Sequence, residues 1–304
     1  MRAFVFPGQG SQYSGMGKDL VEAFPEARDV FAEADDTLTF PISRLCFEGP
    51  EEQLMLTEHT QPAILTVSTA LFRVLQARGH APDYVAGHSL GEYSALVAAG
   101  SLGFADAVRT VRQRGRFMQE AVPLGTGAMA AVIGLDLEHL KLICVEAAQG
   151  QVVSPANLNA PGQFVIAGHT EAVQRASSVA LERGARKVVP LPVSAPFHCL
   201  LMKPAEERLA AELSRIQFCD LKVPLVNNVD AHLVRTGDQA RDGLIRQVSS
   251  AVRWVEDVEH LIRLGVTHFV EVGPGKVLSG LVRRIARDAV VTQVGTVKEV
   301  EAYV

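Results

Sequence analysis

Gly87-His88-Ser89-Leu90-Gly91 fits the pattern G-x-S-x-G, which presents a serine hydroxyl on a sharp strand-to-helix turn. Such pentapeptides also arise by chance, so the flanks matter. Tyr84-Val85-Ala86 reads as a short buried strand running into the turn, and Glu92–Ala99 as a small-residue helix leaving it. Glycines on both sides give neighbouring backbone room to pass. The start of the helix aims N–H groups at any negative charge that develops there. These residue types point to acyl chemistry with Ser89 as nucleophile. The N–H of Leu90, the residue after the elbow serine, is placed to donate to an oxyanion.

A serine hydroxyl needs a base at neutral pH, and nine histidines are available. His88 adjoins Ser89 but lies on the strained turn, pointing elsewhere. His59, His80, His139, His169, His232 and His260 sit in polar or helix-surface contexts where solvated side chains are the rule, and His268 falls inside a strand. His198 follows a stiff Ser194-Ala195-Pro196-Phe197 loop that could return an imidazole to Ser89. Local sequence alone leaves the choice open. The order Ser then His is that of α/β-hydrolases, but no Asp or Glu stands out as the third member.

The elements that must position these groups alternate along the chain. Ala3–Phe6, Thr267–Val272 and Val290–Gly295 read as strands, and Gln61–Gln76, Phe104–Glu120 and Lys276–Ala286 as helices. Alternation of this kind predicts a mostly parallel sheet with helices on both faces. In the middle, Gly127–Gly134, Leu137–Ala148, Gln151–Ala156, Gln163–Ala167, Thr170–Gly184 and Lys187–Pro192 follow the order β-α-β-β-α-β of ferredoxin-like units. The expected architecture is therefore α/β: a hydrolase-like core of 1–123 and 193–304, interrupted by a small ferredoxin-like α+β subdomain over 124–192.

Composition narrows the function classes. The 304 residues are 48% hydrophobic and 21% charged, with net charge −5, which speaks against intrinsic disorder and against a general nucleic-acid binder. Cys46, Cys144, Cys199 and Cys219 form no C-x-x-C pair and no zinc-spaced cluster, as expected of single thiols in a reducing compartment. The N-terminal apolar run stops at Pro7, too early for a signal peptide or membrane helix. A cytoplasmic protein without membrane association is expected. Gly8-Gln9-Gly10 is no dinucleotide fingerprint, because position 13 is Tyr13 rather than glycine.

The chain resembles malonyl-CoA:acyl-carrier-protein transacylases of fatty-acid synthesis, and the related acyltransferase domains of polyketide synthases. The likeness rests on Phe6-Pro7-Gly8-Gln9-Gly10-Ser11-Gln12, Gly87–Tyr93, Arg114-Gly115 with Met118-Gln119, and Gly125–Met129. It continues through Ser194–His198, Asn227-Asn228-Val229, Gln247 with Val252-Arg253-Trp254, and Glu271–Gly275. The resemblance implies a Ser89–His198 dyad and an oxyanion hole from the backbone N–H groups of Gln9 and Leu90. It also implies a backbone carbonyl near Gln247 that orients the histidine in place of an acid.

The resemblance further implies that Arg114 grips the free carboxylate of malonate, with Met118, Phe197 and His88 around the acyl group. Helical spacing agrees for Arg114. Phe104, Ala107, Val108, Val111 and Met118 form one apolar stripe. At about 100° per residue Arg114 lies roughly 60° from its centre, whereas Arg109, Arg112 and Arg116 lie about 100° or more away. A planar guanidinium suits a carboxylate gripped by two parallel hydrogen bonds, although a protein carboxylate would satisfy it too. In related polyketide acyltransferases a Phe before the histidine accompanies malonyl and a Ser methylmalonyl, which makes Phe197 a modest selector.

The expected partners are malonyl-CoA and an acyl-carrier protein, whose pantetheine arm belongs to the substrates. No metal or other cofactor is expected, and a monomer is the default. Carrier docking would need a local basic patch, for which Lys276, Arg283, Arg284 and Arg287, or Arg183, Arg186 and Lys187, are candidates. The rival functions are a polyketide acyltransferase acting in trans, a serine hydrolase or thioesterase using water, and a non-enzymatic carrier-binding protein.

Overall fold

The computed structural model describes residues 1–193 and 195–303; Ser194, the first residue of the Ser194–His198 motif, and Val304 lie outside the described residues. The strands are β1 (Arg2–Phe6), β2 (Tyr84–Gly87), β3 (Gly127–Ile133), β4 (Val153–Ala160), β5 (Gln163–His169), β6 (Lys187–Pro190), β7 (Leu225–Val226), β8 (Leu233–Val234), β9 (His268–Val272) and β10 (Val290–Val294). Six of them form a sheet in the order β10-β9-β1-β2-β7-β8. Neighbours from β10 to β7 run parallel, and β8 turns back antiparallel to β7. Parallel pairs need long crossovers, which the intervening helices supply.

Strand β1 shows why helices cover both faces. All of Ala3–Phe6 is buried, the continuous apolar run of a strand enclosed on two sides. Phe4 and Phe6 point into a cluster with Val85, Val270 and Ile64 of the Thr57–Ala77 helix. Ala3 and Val5 point the other way, into a cluster with Phe269, with Trp254 and Leu261 of the Trp254–Arg263 helix, and with Leu281 of the Val277–Ile285 helix. One strand thus seeds two cores through its period of two.

The other four strands form an antiparallel sheet in the order β4-β5-β3-β6. With the Leu137–Ala148 and Thr170–Glu182 helices they follow the expected chain order. They enclose a separate apolar cluster that includes Val132, Leu140, Ile143, Phe164, Ile166 and Val173. The fold class is therefore as expected, a mostly parallel sheet accompanied by a small antiparallel one. Strand β4 ties the two sheets' surroundings together. Leu158 N–H donates to Val252 O (2.8 Å), and Val252 N–H donates to Ala156 O (2.9 Å).

Several boundaries differ from expectation. The helix expected from Gln61 begins at Thr57 and carries Pro62 within it, so the proline does not mark the helix start. Strand β4 continues to Ala160 rather than ending at Ala156, with register shifts around Pro155–Asn157 and Leu158–Ala160. Those shifts let the polar Asn157-Leu158-Asn159 stretch remain in the sheet. The helices Lys18–Ala23, Pro25–Leu38, Ile42–Glu48, Lys203–Leu213, Gly237–Gln247 and Trp254–Arg263 come in addition to the elements expected.

Candidate active site

The parallel sheet delivers Ser89 at the carboxyl end of β2, the end where open α/β sheets place their ligands. His88 N–H donates to Phe6 O (3.0 Å), which anchors the turn to β1. Ser89 has φ 52°, a left-handed conformation that costs about 1–3 kcal/mol for such a residue. Its surroundings enforce it. A Cβ on Gly87 would lie 1.9 Å from the Gly91 carbonyl carbon, and one on Gly91 would lie 2.0 Å from Phe6 O. The Asn228 side chain straps the turn from outside: Oδ1 accepts from Ser89 N–H (2.7 Å) and Nδ2 donates to Gly87 O (2.7 Å).

The loop after β6 returns His198 to this turn. Ser89 Oγ lies 2.7 Å from His198 Nε2, and His198 Nδ1 lies 2.9 Å from Gln247 O. A carbonyl oxygen only accepts, so Nδ1 carries the proton and Nε2 is the free base facing the hydroxyl. Burial, reinforced by the nearby Arg114 charge, pushes the imidazole's pKa down to about 3. His198 is therefore neutral at physiological pH, with its unprotonated Nε2 turned toward the Ser89 hydroxyl.

Arg114 sits on the Phe104–Glu120 helix and is 1% exposed. The helix can come this close because a Cβ on the next residue, Gly115, would lie 2.6 Å from Thr57 O of the neighbouring helix. Arg114 Nη1 donates to Gln61 Oε1 (2.8 Å), and Nη2 donates to Ser89 Oγ (3.1 Å) and to Gln247 Oε1 (2.9 Å). The guanidinium also lies over the Tyr93 ring, 5.5 Å from its centroid. None of these partners carries a formal charge. By contrast Arg109 and Arg116, on the far side of the same helix, pair with Asp106 and Glu120 at the surface.

One pocket gathers Gln9, His88, Ser89, Leu90, Arg114, Met118, Phe197 and His198. Gln247, completely buried, stands behind it. Among the described residues, neither the Gln9 nor the Leu90 backbone N–H has an intramolecular acceptor, so both are available to an oxyanion. His88 Nε2 is held by Asn159 Oδ1 (2.8 Å) and its ring packs against Trp254, so it forms wall rather than a free donor.

Residues 3–302 match the family described as acyl transferase domain. The chain belongs to the acyl transferase domain family. It is 56% identical over 284 residues to the malonyl CoA-acyl carrier protein transacylase of Escherichia coli (strain K12), covering 93% of this chain and 92% of that one. An acyl carrier protein S-malonyltransferase from Vibrio cholerae O1 biovar eltor superposes with TM-score 0.97 at 48% identity, covering 99% of both chains. A malonyl-transacylase solved in complex with a type II polyketide synthase acyl-carrier protein also superposes with TM-score 0.97, at 49% identity, covering 99% of this chain and 98% of that one.

Around the pocket of this acyltransferase stand residues that sequence reasoning had not assigned to it. Gln61, Met129, Asn157, Leu191 and Val193 complete the lining. Gln61 is a buried amide on the Thr57–Ala77 helix, which also buries the hydroxyls of Thr60, Thr66, Ser68 and Thr69, so its residue type alone does not set it apart. Behind the lining, Glu92, Asn228 and Asp257 are buried together. Asn228 N–H donates to Glu92 Oε2 (3.0 Å), and Asn228 Nδ2 to Asp257 Oδ2 (2.9 Å). Burial raises the Glu92 carboxyl to about 7 and holds Asp257 well above the usual carboxylate range. Among the described residues, no cluster of three or more His, Cys, Asp or Glu is placed to hold a metal, and no helix is long and apolar enough to cross a membrane.

Proposed function

We propose that this acyltransferase moves a malonyl group from malonyl-CoA to the phosphopantetheine thiol of an acyl-carrier protein, through a malonyl ester of Ser89, in the service of fatty-acid synthesis. The observation that carries this reading is Arg114: a buried guanidinium 3.1 Å from Ser89 Oγ, with no carboxylate partner among the described residues. Malonate's carboxylate is two bonds beyond the thioester carbon. An acyl group attached at Ser89 therefore brings that carboxylate to the guanidinium, where a bidentate pair can form.

In the first half-reaction the Ser89 hydroxyl proton passes to His198 Nε2 as Oγ attacks the thioester carbonyl carbon. Electrons move onto the carbonyl oxygen, which the N–H groups of Gln9 and Leu90 stabilise. The intermediate collapses with cleavage of the carbon–sulfur bond, and His198 returns the proton to the departing CoA thiolate. Malonyl-Ser89 remains, its carboxylate on Arg114. The carrier thiol then gives its proton to His198 and attacks the ester, and Ser89 leaves reprotonated. This is ping-pong acyl transfer, and each step closes without a metal or redox cofactor. Met118 and Phe197 shape the space around the acyl chain, with His88 as fixed wall.

The proposal treats 124–192 as a subdomain set into a core of 1–123 and 193–304. The self-contained apolar cluster of the four-stranded sheet supports this division. Exposed Lys276, Arg283 and Arg287 offer positive charge to an acidic carrier. The 49% identical relative solved with a polyketide carrier favours a second reading, in which the acceptor serves polyketide synthesis. Discharge of malonyl-enzyme tests both readings. Fatty-acid carrier should remove the label far faster than water does and faster than polyketide carrier. Equal loss with and without carrier would instead identify a hydrolase.

A further inference from the structure

Arg114 poses an electrostatic question that the acyl-transfer steps leave unanswered. A buried cation without a counter-charge costs several kcal/mol, yet a carboxylate bonded directly to it would compete with the substrate. The structure shows an intermediate arrangement. Gln247 Oε1 accepts from Arg114 Nη2 (2.9 Å), and on the other side of the same amide Gln247 Nε2 donates to Glu92 Oε2 (2.9 Å). Arg114 and Glu92 are thus joined through one neutral side chain. Resting on the malonyl reading above, we propose that Glu92 is the counter-charge of Arg114 when no substrate is bound. In this proposal the Gln247 side chain keeps Glu92 one amide away, so that a carboxylated acyl group can claim the guanidinium.

Three further features fit. Glu92 Oε2 also accepts from Asn228 N–H (3.0 Å), so two donors hold the carboxylate on the far side of the Gln247 amide from Arg114. The second buried acid, Asp257, is bonded to the Asn228 amide and is pushed well above the usual carboxylate range by burial and then by Glu92, whereas at Glu92 the Asn228 N–H, the Gln247 amide and the Arg114 charge all oppose the upward push of burial. Gln247 also donates to Ser89 O (3.1 Å), while its own backbone carbonyl holds His198. Spacing of the counter-charge is therefore set by the same residue that aligns the nucleophile and base. Gln247 and Glu92 act through Arg114, as positioning residues for acyl selection.

The readout is the ratio of kcat/KM for malonyl-CoA to that for acetyl-CoA in self-acylation of the full chain. Gln247→Glu puts a carboxylate directly on Arg114 and retains the backbone carbonyl for His198. It should lower the ratio by about 10- to 100-fold, the worth of a charge-assisted hydrogen bond, mostly through a higher KM for malonyl-CoA. Glu92→Gln keeps the shape and removes the distant charge, and should raise the ratio several-fold. A merely structural role would slow both substrates together and leave the ratio unmoved. If Gln247→Glu does not fold, the near-isosteric Glu92→Gln decides alone. An unchanged or lowered ratio in Glu92→Gln overturns the proposal, as does an unchanged ratio in folded Gln247→Glu. If the wild-type chain takes no malonyl on Ser89, the malonyl reading itself fails and this proposal falls with it.

Discussion

The two sides of the pocket are built differently. The side formed by β1, β2 and the helices beside them presents Ser89, Leu90 and Arg114, each held by short hydrogen bonds or close backbone approach. The side formed by the antiparallel sheet and the loop leaving β6 presents Met129, Leu191 and Val193, with Asn157 as its polar member. Chemistry requires atoms fixed to a fraction of an ångström, and the parallel sheet, with its glycine-tight turn, can supply that. Shape selection needs only volume and apolar surface, which a second sheet docked through β4 can supply. His198 and Phe197, adjacent in the loop that crosses between the sheets, belong one to each task.

If this division is right, damage should scale with the side that is touched. His198→Ala should slow acylation by malonyl-CoA about 10²- to 10⁴-fold, the usual loss of a general base; a near-normal rate in stopped-flow acylation would place the base elsewhere. Arg114→Ala should lower the malonyl-to-acetyl kcat/KM ratio about 100-fold or more, as expected on losing charge-assisted hydrogen bonds; an unchanged ratio would refute the clamp. Phe197→Ser, on the shaping side, should raise methylmalonyl-CoA turnover relative to malonyl-CoA by about 10-fold, because one methyl is worth roughly 1–3 kcal/mol. A change as large as that in His198→Ala would erase the distinction between the two sides.

A titration sharpens the chemical side. His198 is held down to about 3 by burial and by Arg114, against about 6.5 in an unfolded chain. Its imidazole NMR signals should therefore stay flat from pH 8 to pH 5, and a midpoint near 6.5 would contradict its burial beside Arg114. The sign for stability follows from the same shift. Between about 6.5 and about 3 the unfolded chain binds the proton and the folded one does not, so this group lowers stability as the pH falls through that window.

Much of this organisation is legible in the residues. The strand-turn-helix around Ser89 announces itself locally, because glycines and a serine at fixed spacing have one common use. Arg114 is legible from the apolar stripe of its helix, and the β-α-β-β-α-β order of the middle segment from its turns. His198 stands out among the nine histidines by its stiff loop, but with its partner 109 positions away the family likeness is needed to choose it. The cluster behind the pocket is least visible. Glu92, Asn228 and Asp257 come from separate elements, and a buried amide or acid leaves no periodic trace when its partners are distant in sequence; of Gln247 the likeness implied only the backbone carbonyl. Strand β4 runs past the expected end at Ala156 for a related reason: its polar residues find partners distant in sequence, Asn159 pairing with His88 and Asn157 lining the pocket.

The central claim is that Ser89 carries the acyl group in transit, and intact-mass spectrometry of the protein mixed with malonyl-CoA tests it most directly. The account predicts a single added malonyl group on the wild-type chain, its loss when holo carrier protein is added, and no addition to Ser89→Ala. A wild-type chain whose mass does not change, or a Ser89→Ala chain that still gains a malonyl group, would contradict it.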